Sequence, residues 1–186
     1  MDELEMWLGH ERRLLERLLF KLVEGRGLLA AGESRFFGLA AAELERAASR
    51  VEEAELARGV RLSRLAAEWR VPVERLTLVA LGWACPEPYR AMFADHRRAF
   101  TDLMAEIDGD GLKTRSLAIL GLGSIGPESP DEPMLEAGYR AMLSAATGLS
   151  FPSLADFLAD HGGPLVAAST SATTRVSSDG RKGLAR

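Results

Sequence analysis

The stretch LEMWLGHERRLLERLLFKLVEGRGLL, residues 4–29, decides the fold. Leu4, Leu8, Leu15, Leu18, Leu22 and Leu29 recur at spacings built from threes and fours, and Leu14, Leu19 and Phe20 widen the stripe. That is the period of an amphipathic α-helix with an apolar face broader than a coiled-coil seam. At ~1.5 Å per residue the helix is roughly 40 Å long, and it is too apolar on one side to stand alone in water. Glu11 and Gly25 fall in slots where the rhythm calls for leucine. The rest of the chain is expected to cover this stripe.

Working outward, the first helix is predicted to end near Ala31, with Gly32 as its C-terminal glycine and Ser34 as the cap of the next helix. Phe37, Ala40, Leu44, Ala47, Val51 and Ala54 repeat the rhythm, and Leu62, Leu65 and Trp69 extend it after a change of phase. Pro72 ends the run, because proline disfavours helical geometry in the residue before it. Two long helices joined by so short a connection are antiparallel neighbours. A reversal centred near residue 33 sets Glu11 opposite roughly residue 55, within one turn of Arg58, which holds a seam slot of its own helix. Glu11 and Arg58 are therefore predicted to pair across the hairpin, the alternative being that both lean out to solvent. Such a pair sets register more than stability.

A short third helix is predicted over Val73–Ala84. Pro88 then opens a fourth, whose Tyr89, Phe93, Phe100, Met104 and Ile107 form the third wall of a bundle. Asp108, Gly109, Asp110 and Gly111 are expected to weaken or bend it before Leu112, Leu117, Leu120 and Ile125 resume the pattern. Residues 1–126 thus read as an all-α bundle built on a long antiparallel, coiled-coil-like hairpin plus a third long helix. Residues 127–161 read as a proline-rich linker with short amphipathic helices marked by Leu135, Tyr139, Met142, Ala146 and Leu149, then by Leu154, Phe157 and Leu158. Residues 162–186, Ser/Thr/Gly-rich with few large apolar side chains, read as a disordered tail.

Composition narrows the function classes. The 186 residues include neither Asn nor Gln and are rich in Ala, Leu, Arg and Glu, a bias toward helix. Up to His161 there are 19 basic and 26 acidic residues, so the folded part is mildly acidic, which argues against a nucleic-acid duplex as partner. Cys85 is the single cysteine and cannot close an internal disulfide. No apolar run approaches the roughly 20 residues of a membrane span, and the start is acidic where a signal peptide is basic. A soluble cytoplasmic protein without membrane insertion is expected.

Motifs that carry chemistry are scarce. Gly121, Gly123 and Gly126 form a literal dinucleotide-binding spacing, but that chemistry needs a strand before the glycines and a helix after them, and here two prolines follow. A fraying helix end is the expected reading. Residues 65–76 read like a helix-turn-helix, although Arg70 stands in the turn and the reading helix carries only Arg75 among apolar residues, wrong for a major groove. His10, His96 and His161 lack the spacing of a helical metal site. No nucleophile stands beside a base, so no enzyme, cofactor or metal is expected.

The run from Leu14 to Leu22, the Ala41–Leu44 stretch, and Glu87, Pro88 and Tyr89 continuing through Phe93 and His96 to Phe100 together resemble the FlgN-type flagellar export chaperones, particularly the form of high-GC Gram-positive bacteria. The likeness covers about residues 1–126. It implies a cytoplasmic, helical, non-catalytic chaperone that binds C-terminal segments of the hook-filament junction (hook-associated) proteins before export through the flagellar type III apparatus, with that export apparatus as a further implied partner. The family engages clients through the C-terminal half of its last long helix, which implies Phe100, Met104, Ile107, Leu112, Leu117 and Leu120 as client-binding residues, the first three shared with the core. Where the family tends to carry an Asn-rich run, this chain reads GDGLKTR, residues 109–115. The stripe of Leu135, Tyr139, Met142 and Leu149 either occupies the client groove as a tethered competitor or packs permanently on the bundle. A helix-turn-helix-like DNA-binding regulator and a helical scaffold unrelated to flagella are the alternative functions.

Overall fold

The computed structural model describes residues 2–126 and 132–160. The expected linker at 127–131 and the expected disordered tail at 162–186 lie outside the described residues. Helix α1 spans Asp2–Ala31. Its core slots, Leu8, Leu15, Leu18, Leu22 and Leu29, are those of the leucine rhythm. The helix ends in a left-handed residue at Gly32, φ +69°, with the Glu33 amide donating to the Leu28 carbonyl at 3.1 Å and the Gly32 amide to that of Leu29 at 3.2 Å. Glycine adopts this conformation without a Cβ clash, and the two bonds satisfy carbonyls that the helix end would orphan.

A single 3₁₀ turn, Ser34–Phe36, leads directly into helix α2, Phe37–Trp69. Ser34 does not cap α2, whose start has no side-chain cap. The buried stripe of α2 is Phe37, Ala41, Leu44, Ala47, Val51, Ala54, Arg58, Leu62 and Ala66, with no change of phase. The expected shift to Leu65 and Trp69 disappears once Arg58 is counted as a core residue. Helix α2 ends as α1 does, except that Arg70, φ 56°, takes the left-handed position.

The next segment corrects the predicted third helix. Val73–Arg75 forms only a 3₁₀ turn, and helix α3 is confined to Leu78–Ala84. Thr77 separates them, because its extended backbone and its Oγ1, which accepts the Ala80 amide at 3.2 Å, make it the N-cap of a new helix. Helix α4 then runs unbroken over Tyr89–Ser124, so the predicted weakening at residues 108–111 does not occur. Tertiary packing outweighs glycine's low helix propensity there. Asp110 accepts from Arg26 of α1 at 2.6 Å and from Lys113 at 2.9 Å, and Gly111 is buried where a Cβ would stand 3.8 Å from the Ala146 carbonyl oxygen.

Helices α5, Glu132–Thr147, and α6, Pro152–Leu158, complete the all-α bundle. Helix α1 packs against α2 and α4, and α5 closes the opposite side by packing against the same two helices. Contacts of Arg12 with Asp95 and Arg26 with Asp110 make α1 and α4 parallel, while Tyr139 against Gly121 and Leu149 against Gly111 make α5 antiparallel to α4. Below the end of α5, α6 bridges α2, α3 and α4. Met142, Ala145, Ala146, Phe151, Leu154 and Phe157 belong to the same apolar core as the leucines of α1.

Glycines let α5 approach. A Cβ on Gly25 would stand 2.6 Å from Met142 Cε, so the gap in the leucine stripe of α1 is filled by a side chain from α5. A Cβ on Gly138 would stand 3.0 Å from Phe37 Cβ, and one on Gly121 would collide with the Tyr139 ring. At Gly59 and Gly109, by contrast, no atom lies within 4 Å. The same substitution should therefore have opposite signs. Gly59→Ala and Gly109→Ala are expected to raise stability by roughly 0.5–1 kcal/mol through helix propensity, whereas Gly121→Ala and Gly138→Ala should lower it by about 1–3 kcal/mol through overpacking. Thermal melts of the four variants check this; destabilisation of all four would contradict it.

Candidate functional site

Position on α4 sorts the residues expected to meet a client. Phe100 and Ile107 are buried in the core at 0% and 1% exposure, and Met104 and Leu117 are half-buried against it. Of the two roles expected for them, Phe100 and Ile107 thus take the core one and present no surface to a client. Leu112 and Leu120 face outward, 60% and 69% exposed, and Ile119, which sequence reasoning did not single out, joins them at 57%. Spaced at i, i+7 and i+8 on an unbroken helix, the three lie on one face, with Ser116 between them. The Ser116 hydroxyl donates to the Leu112 carbonyl at 2.9 Å, which occupies its polar group within the helix. Ile119 was hidden because its neighbours Leu117 and Leu120 fit the core rhythm and it did not.

At mid-bundle, Glu11 of α1 and Arg58 of α2 meet, Arg58 Nη1 donating to Glu11 Oε1, with both side chains almost fully buried. The pair is part of a larger cluster that sequence reasoning missed. Arg58 Nη2 also donates to Glu55 Oε1 at 3.1 Å and to Ser153 Oγ of α6 at 3.0 Å, and its guanidinium lies 5.2 Å from the Phe157 ring centroid. Glu55 Oε1 in turn accepts the Leu154 amide at 2.6 Å, so a carboxylate of α2 caps the first turn of α6, where the helix dipole favours negative charge. The i, i+3 spacing of Glu55 and Arg58 was a visible signal; the third partner, 95 residues downstream of Arg58, was not.

Electrostatics at the cluster are unbalanced. Burial pushes the Glu11 carboxyl up from 4.5 to about 7, against the opposing pull of Arg58, and Glu11 Oε2 has no hydrogen-bond partner among the described residues. Elsewhere the chemistry is quiet. His96 is buried beside Phe100, ring centroids 5.9 Å apart, and burial, with Arg12 nearby, lowers its pKa and favours the neutral ring. Burial raises the Cys85 thiol above its usual value, away from thiolate reactivity. Among the described residues no group of three His, Cys, Asp or Glu is placed to hold a metal ion. Residues 121–124 are the end of α4, and α3, at the place of the reading helix, has seven residues of which Leu78, Ala80 and Leu81 are buried. No helix among the described residues is long and apolar enough to cross a membrane.

No family model matches the chain, and no curated protein or solved structure matches it either.

Two outcomes are expected at the buried cluster. Because the folded pKa of Glu11 lies above its unfolded value, the folded state holds this proton more tightly; the group's stabilising contribution is complete below about 4.5 and is lost as pH rises through about 7. Denaturant titrations of the wild type and Glu11→Gln should show the wild type gaining on the variant as pH falls from about 8 to about 5, at up to ~1.4 kcal/mol per pH unit; a constant difference would refute the assignment. Arg58→Met, which strands Glu11 and Glu55, should cost about 3–5 kcal/mol, and Glu11→Leu added to it should restore part of the loss. Urea midpoints of the single and double variants measure both.

Proposed function

We propose that this protein is a cytoplasmic, non-catalytic export chaperone of the FlgN type, which covers the C-terminal helix of a flagellar hook-filament junction protein and releases it to the type III export apparatus. The observation that carries the reading is the outward apolar row of Leu112, Ile119 and Leu120 on the last long helix, the region where the resemblance locates client contact. Supporting it are the long α1–α2 hairpin and the continuity of α4 across residues 109–115, which gives the row a rigid backing. An amphipathic client helix laid along such a row buries apolar side chains that would otherwise self-associate. A row of three side chains makes a small interface, suited to a client that must be let go.

Calorimetric titration with synthetic C-terminal helices of junction proteins from the same organism tests the reading. Binding at micromolar affinity or better is expected, weakened at least tenfold by Ile119→Asp with Leu120→Asp, while the melting temperature stays unchanged because both positions are exposed. Absence of binding by a folded protein, or tighter binding to a DNA duplex control, would overturn it.

A further inference from the structure

The opposite end of α4 carries a second surface. Helix α3 and the first turns of α4 leave between them a groove of about 520 Å³, open to solvent on one side. Its floor is closed by Leu78 and Phe93, both fully buried, and the apolar surface it presents comes from half-buried Val79 and exposed Ala94. Gly82 contributes no side chain, so the floor continues across the backbone of α3. One wall is Trp83, 67% exposed. An exposed tryptophan beside an apolar trough is costly to leave in water and is the residue type most enriched where partners anchor.

The rim of the groove is positive although the chain is acidic. Arg90, Arg97 and Arg98 line it, against the single acid Asp102. Arg90 lies over the Trp83 ring, 5.9 Å from its centroid, and donates to the Gly82 carbonyl at 3.3 Å, which holds the ring in place. Among the described residues Arg97 donates to a main-chain oxygen, that of Leu158, at 3.3 Å, and to no carboxylate. Arg98 makes no ion pair among the described residues. Arg90 pairs with Glu87 at 4.0 Å, so the cations that select for an anionic partner around this apolar trough, in a chain of net charge −4, are Arg97 and Arg98.

We propose that the α3/α4 groove docks an acidic amphipathic helix of a partner protein, its apolar face on Val79, Trp83 and Ala94 and its carboxylates against Arg90, Arg97 and Arg98. The apolar floor favours a peptide over a phosphate backbone, which has nothing to bury there, and the negative charge of the rest of the chain repels nucleic acid. Two walls made of helices match the helix-in-groove mode of recognition. This surface is distinct from the row of Leu112, Ile119 and Leu120, and the inference does not depend on the chaperone reading.

The test is a titration of the full-length protein with a synthetic amphipathic helix carrying leucines on one face and glutamates on the other, followed by calorimetry. A version with lysines in place of the glutamates and a single-stranded oligothymidine serve as further probes. The glutamate peptide is expected to bind, to bind at least tenfold more weakly to Arg97→Glu/Arg98→Glu and to Trp83→Ser, and to bind Ile119→Asp/Leu120→Asp unchanged. All the substituted positions are exposed, so melts of the variants should match the wild type. Equal binding of the lysine peptide, indifference to the arginine reversal, or oligothymidine binding that the reversal abolishes would each overturn the proposal. So would sedimentation of the wild type as a dimer that Trp83→Ser dissociates, since a second copy would then be the occupant.

Discussion

A guanidinium taken out of water must have its charge and its donors answered by protein, and the arrangement around Arg58 follows from that requirement. Glu11 supplies one carboxylate from α1, Glu55 a second from α2, and Ser153 a hydroxyl from α6. Each partner constrains a different part of the chain. The first fixes the register of the hairpin, because a slide of one turn would leave both charges buried and unpaired. The others recruit a seven-residue helix that is too short to persist by itself, giving its N-terminus a carboxylate cap and stacking Phe157 on the cation. Replacing such a cluster with apolar residues would be close to neutral for stability in many proteins. Its contribution here is specificity: it selects one alignment of α1 on α2 and one seat for α6.

The upper half of the bundle is specified by shape instead of charge. Helix α5 fits because α1, α4 and α5 each lack a side chain where another helix has a large one: Met142 enters at Gly25, Tyr139 lies over Gly121, and Phe37 covers Gly138. Interiors pack like crystals, so three such complementarities fix both the depth and the axial position of α5. This bears on whether α5 is a permanent wall or a tethered competitor for the client groove. A client replacing it would have to bring its own glycine opposite Phe37 and its own long side chain into the gap at Gly25. The outward row on α4 makes no such demand, and it is open while α5 stays seated.

Much of this was legible in the sequence, and what was not shares a cause. The leucine rhythm gave the length and buried face of α1, the short Gly32 turn gave the antiparallel hairpin, and simple register arithmetic put Glu11 beside Arg58. What failed were inferences from a residue's intrinsic tendency where a distant neighbour decided the outcome. Gly109 and Gly111 read as a break because glycine lowers helix propensity; the Arg26–Asp110 pair and the packing against α5 keep the helix whole. Val73 to Ala84 read as one helix because its apolar residues are dense; the Thr77 side chain splits it locally. Phe100, Met104 and Ile107 were read as shared between core and client because the sequence does not say how much of each side chain the bundle covers; it covers Phe100 and Ile107 completely.

Helix α4 thereby becomes the axis on which function is distributed. Its inner face is spent on the core through Phe93, Phe100, Ile107 and Ala118, which leaves two surfaces: an apolar row near its C-terminus and, with α3, a cation-rimmed trough near its N-terminus. The two differ in kind. The row offers apolar contact with little charge, which favours tolerance of related helices over discrimination among them. The trough couples a tryptophan anchor to Arg97 and Arg98, which have no carboxylate partner among the described residues, and this favours fast, salt-sensitive capture of an acidic segment. Ten residues, about 15 Å of unbroken helix, separate Asp102 of the trough from Leu112 of the row, so the two surfaces share no residue. The two proposed roles, holding one helix and being recognised by another, would thus be strung along a single helix that its glycines do not interrupt.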